Sequence, residues 1–111
     1  MASLMHPIED RLLHRTPPSQ RRADIERLEA QLAEWTASIA QYRASAKRAD
    51  AKVRGELDRI TDELQRQRNE AGAKVMLLKG ASEAQWGALK SELEHSWEDT
   101  RRIFQKAMAR F

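Results

Sequence analysis

A chain of 111 residues with 41% apolar, 33% charged and only 5% aromatic side chains has room for one domain, and this balance is typical of long helices and coiled coils. The absence of cysteine excludes disulfide staples, thiolate metal sites and cysteine nucleophiles, and leaves the redox compartment open. The net charge of +3 is small but uneven: Arg43, Lys47, Arg48, Lys52 and Arg54 face only Asp50, whereas Asp24, Glu26, Glu29 and Glu34 face only Arg27.

Residues 1–18 read as a tether. Pro7 is placed to open one short helix with Ile8, Leu12 and Leu13 on its apolar side, and Thr16-Pro17-Pro18 would stop it; a disordered tether is the equal alternative. Met1 to Leu13 lacks a basic start followed by an apolar run, and the longest apolar stretch, Val75 to Leu78, falls far short of the ~20 residues that cross a bilayer. A cytoplasmic location is therefore expected.

Ser19 follows the proline pair as an expected N-cap, and no further proline occurs. Apolar and small residues then recur at strictly alternating spacings of three and four. Ile25, Leu32, Ile39, Ala46 and Val53 fall at heptad a positions, and Leu28, Trp35, Tyr42 and Ala49 at d. Beyond Val53 the stripe continues through Leu57, Ile60, Leu64, Gln67, Ala71, Val75 and Leu78. Steps of four at 53–57 and 71–75, beside Gly55 and Gly72, mark stutters in one continuous helix over 19–79.

Gly80 ends this helix, the turn occupies 80–81, and Ser82 with Gln85 forms a capping-box signal opening a second helix over 82–110. In that helix Trp86 and Trp97 stand eleven residues apart, almost three turns, so Trp86, Leu89, Leu93, Trp97, Thr100 and Phe104 share one stripe. The expected fold is all-α: a long antiparallel helical hairpin of two main helices over 19–111. Its core is Leu57, Ile60, Leu64, Val75, Leu78, Trp86, Leu89, Leu93, Trp97 and Phe104.

The two arms are unequal, ~90 Å against ~43 Å at 1.5 Å per residue. Ile25, Leu28, Leu32, Trp35, Ile39, Tyr42, Ala46 and Ala49 are then left without an intramolecular partner, and exposing the six large ones forfeits ~1.5–3 kcal/mol each. This predicts an antiparallel homodimer, or a higher oligomer, through residues 25–53. Asp24 would meet Lys52 of a second copy and Glu29 would meet Arg43, so that charge selects orientation.

Little points to chemistry. Glu92 and His95 have the E-x-x-H spacing of carboxylate-bridged metal bundles, but the helical wheel turns both to solvent, and His6 and His14 lie in the tether, so no metal or cofactor is expected. No G-x-S-x-G, phosphate loop or H-E-x-x-H occurs, and the chain is read as non-enzymatic. Trp35, Trp86 and Trp97 occupy seam positions and are read as core. The basic run 43–54 lacks aromatic interleaving or a reading helix, which disfavours nucleic acid. The main reading is a coiled-coil structural or interaction protein acting through itself and unidentified protein partners. The alternative is an amphipathic protein lying on a lipid surface, disfavoured because the polar face of the second helix is neutral overall.

Residues 28–35 (LEAQLAEW), and above all Gln85-Trp86-Gly87-Ala88-Leu89-Lys90 followed by Ser96-Trp97-Glu98-Asp99 and Ile103-Phe104-Gln105-Lys106-Ala107, resemble a family of small bacterial coiled-coil proteins described as stress-response helical hairpins. The resemblance spans roughly 25–111. Gly87 stands where the family has an acidic residue, and Thr100 takes an apolar seam position. It implies a cytoplasmic hairpin associated with stress and brings no catalytic residues.

Overall fold

Pro17 and Pro18, which close the tether in sequence, open the first helix in space. In the computed structural model, which describes residues 17–111, helix α1 runs Pro18–Arg48 with Pro17 at its cap. A proline in the first turn gives up an N–H that has no helical partner there and supplies the required φ, so the helix starts at the proline and not after Ser19. The short helix considered around Pro7, Ile8, Leu12 and Leu13 lies outside the described residues.

The expected single helix over 19–79 is two helices. After α1, Ala49 and Asp50 are extended (ψ 156° and 169°), and α2 runs Ala51–Lys79. The Asp50 carboxylate accepts the Val53 N–H at 3.1 Å as an N-cap. Arg54 reaches back across the turn, its Nε donating to the Ala46 carbonyl at 3.2 Å and its Nη2 to the Ala49 carbonyl at 3.1 Å, so both orphan ends are satisfied. Lys47 and Arg48 in the last turn of α1 complement its dipole.

The chain reverses there. Arg43 donates to Gln65 at 3.0 Å, Arg68 donates to Thr36 Oγ1 at 3.1 Å, and Lys79 lies 3.7 Å from Glu29, which fixes α2 antiparallel to α1. The second turn follows the sequence reading: Gly80 caps α2, and Ser82 and Gln85 exchange both capping-box hydrogen bonds at the start of α3, Glu83–Met108. Helix α3 runs back along α2 and therefore parallel to α1, with Lys90 beside Asp24 and Trp97 and Phe104 beside Trp35.

The fold of the described residues is thus all-α but an up-down-up bundle of three helices, not a two-helix hairpin. The physical reason is coverage. Helices of 31, 29 and 26 residues match in length, so each seam finds two neighbours, whereas an unbroken rod would leave half its seam wet.

The core follows from this. Leu28, Leu32, Trp35, Ile39, Tyr42, Leu64, Ala71, Val75, Leu78, Trp86, Leu93, Phe104 and Ala107 are buried together, with Ile25, Leu57, Ile60, Leu89 and Trp97 half-buried against them. Of the ten expected core residues of the 57–104 half, Leu64, Val75, Leu78, Trp86, Leu93 and Phe104 are buried in this cluster, and Leu57, Ile60, Leu89 and Trp97 pack half-buried against it.

Two glycines within helices offer a direct stability test. A Cβ placed on Gly55 or Gly87 would meet nothing within 4 Å, so each position carries the entropic cost of glycine with no packing reason for it. Gly55→Ala and Gly87→Ala should each raise stability by about 0.5–1 kcal/mol in denaturant titrations, with unchanged m-value.

Candidate interaction surfaces

The residues expected to form a dimer seam are internal. Leu28, Leu32, Trp35, Ile39, Tyr42 and Ala46 are buried within one chain, and Ile25 and Ala49 are half-buried; of that seam only Val53, 42% exposed, keeps substantial access to water. Trp35 stacks on Phe104 (centroids 4.9 Å, 11° between planes) and meets Trp97 at 4.8 Å. The buried Tyr42 hydroxyl donates to the Ala107 carbonyl. Burial pushes the Tyr42 phenol up from its ordinary pKa, opposed by the charge of Arg110. The expected homodimer through 25–53 therefore loses its driving surface, because this seam is covered by α2 folded back along it together with α3.

The orienting charges are reassigned as well. Asp24, expected to meet Lys52 of another copy, is 1% exposed and bound within its own chain: Lys90 Nζ lies 2.9 Å away, Arg27 3.5 Å, and Gln20 donates at 3.0 Å. Burial drives this carboxyl up, but the Lys90 and Gln20 hydrogen bonds and the Lys90 and Arg27 charges outweigh it and hold the group below the usual aspartate value. Glu29 pairs with Lys79 and Arg43 with Gln65, while Lys52 is exposed at the α1–α2 turn. Next to Asp24, the Arg21 guanidinium lies over Trp86 at 5.2 Å. The sequence reading missed this cluster because Asp24 was assigned to the solvated edge of a seam. Its one signal was position: a carboxylate in the second turn of α1, one residue ahead of the seam's first member.

Two other buried polar side chains, Thr61 and Thr100, are used structurally. Thr61 donates to the Leu57 carbonyl at 2.7 Å, and Thr100, at a seam position, donates to the Ser96 carbonyl at 3.2 Å. A threonine bonded back to its own helix can occupy an apolar stripe without leaving a lone hydroxyl in the core.

Two surfaces remain for partners. Along the outer face between α2 and α3 runs a groove lined by Lys74, Leu77, Leu89, Leu93 and Ser96, with Glu92, His95 and Asp99 on its α3 side. Leu77 is 66% exposed and neighbouring Met76 67%. Glu92 and His95, the E-x-x-H pair, are both exposed there. The second surface is the end of the bundle carrying the α1–α2 turn, where the basic run 43–54 meets the C-terminal turn of α3. No family model, no curated protein and no solved structure matches this chain, so the likeness to stress-response hairpins rests on its tryptophan motifs alone, and the geometry of these two surfaces is what bears on function.

Proposed function

We propose that this chain is a non-enzymatic helical interaction protein that pairs reversibly with a second copy of itself through the outer α2–α3 face. The supporting observation is Leu77, a large apolar side chain two-thirds exposed on a groove floored by Leu89 and Leu93. A two-fold contact needs a self-complementary surface. Here Lys74 stands on the α2 side and Glu92 and Asp99 on the α3 side, so a copy turned about a two-fold axis sets α2 against α3 and opposite charges against one another.

The patch is small beside the ~1,200–2,000 Å² of a stable interface, which predicts a dissociation constant on the order of micromolar rather than nanomolar. Sedimentation velocity over a concentration series should show a monomer–dimer equilibrium that Leu77→Glu abolishes while leaving helicity and melting unchanged. A native chain that stays monomeric into the high-micromolar range sinks this reading.

A further inference from the structure

From a different part of the molecule, we propose that the basic end of the bundle docks end-on against an anionic phospholipid surface. Folding assembles this end from three segments that are far apart in sequence. Lys47 and Arg48 close α1, Lys52 lies in the first turn of α2, and Lys106 and Arg110 are brought alongside by the Tyr42–Ala107 hydrogen bond and the edge-on packing of Phe111 on Tyr42 at 4.7 Å. These five cations are exposed, and none takes part in an ion pair among the described residues. Elsewhere on the surface, Arg66, Lys79, Arg101 and Arg102 are paired with carboxylates, whereas Arg22, Arg59 and Lys74 also take part in no ion pair among the described residues; the basic end differs in gathering its cations together.

Helix dipoles account for only part of the pattern. Cations suit the C-termini of α1 and α3; the N-terminus of α2 already has its anion in the Asp50 cap, and its first turn adds Lys52 and no further acidic residue. Lys52 adds a cation that the local helix field does not call for. Two exposed apolar side chains accompany the cations, Val53 at 42% and Phe111 at 60%. Cations combined with apolar side chains that can enter the headgroup layer are the two signals that together hold a protein on an anionic membrane. A nucleic acid groove would need a helix face or ribbon to enter it, whereas Lys47, Arg48 and Lys52 flank the turn at the tip of the bundle, which suits a plane, with Lys106 and Arg110 set back along its side beside Arg59 and Glu63.

The test is flotation of the full chain with vesicles of phosphatidylcholine containing about one-third phosphatidylserine, compared with pure phosphatidylcholine and with a duplex oligonucleotide. Binding is expected on the anionic vesicles alone. The combined Lys47→Gln, Arg48→Gln and Lys52→Gln variant should weaken it by about tenfold or more, and Val53→Ser with Phe111→Ser should weaken it with no change in charge. Arg22→Gln with Arg66→Gln, which removes charge elsewhere, should leave binding close to native, and melting curves establish that each variant is folded. Equal loss in that control, equal binding to neutral vesicles, or binding to the oligonucleotide in place of the vesicles overturns the proposal. Leu77→Glu should leave flotation unchanged, and the triple glutamine variant should leave lipid-free self-association unchanged, so the two proposals fail separately.

Discussion

Trp35→Ala should lower the stability of the isolated chain by about 3–5 kcal/mol, the range for truncating a large buried aromatic. Trp35 is 3% exposed, stacked on Phe104 and against Trp97, so its removal leaves a cavity where α1 and α3 meet and strips both rings of a neighbour. A domain of this size has roughly 5–15 kcal/mol in total, so the melting midpoint should fall by about 15–30 °C. The distinguishing feature is concentration dependence. If Trp35 were covered by a second molecule, dilution of the native protein would mimic the mutation. In the three-helix bundle the loss is the same at every protein concentration, which calorimetry over a dilution series measures directly.

Lys90→Met should destabilise the bundle by about 2 kcal/mol, less than the 3–5 kcal/mol typical of a broken buried pair because Arg27 and Gln20 still serve Asp24. Pairing it with Asp24→Leu should recover most of that loss, since the penalty lies in the stranded carboxylate and not in the missing ammonium. The pH dependence follows from the direction of the shift. The folded-state pKa of Asp24 lies below its unfolded value, so its contribution is complete at neutral pH, above the ordinary aspartate value, and is lost as pH falls through the depressed folded value. Denaturant midpoints measured from neutral to acid pH should therefore decline more steeply for the native chain than for Asp24→Asn. Parallel curves would mean that Asp24 is not the group responsible.

The basic end carries a related lesson about reading the chain. In sequence, the run 43–54 is a charge block on a helix, and Lys106 and Arg110 belong to a neutral second helix. Only the reversal at Ala49-Asp50 and the return of α3 along α1 bring them together. The membrane reading was disfavoured from the neutral face of one helix, a surface that differs from the one the fold assembles.

The sequence by itself determined the helical class, the apolar stripes along the helices, the turn at Gly80 and the Ser82–Gln85 cap. Each of these depends on neighbours within a few residues: a periodicity of three and four, a side chain reaching the N–H three positions on, a glycine at a helix end. It did not reveal the break after Arg48, because Ala46, Ala49 and Val53 keep the heptad spacing across a two-residue turn that contains neither glycine nor proline. The local trace was there, in Lys47 and Arg48 ending one dipole and Asp50 capping the next, but a continuous helix satisfies the same spacing. What decided between a rod and a bundle was tertiary. Trp35, Ile39 and Tyr42 need cover, and folding back lets α2 and α3 supply it from within the same molecule, without the loss of freedom that recruiting a second chain entails.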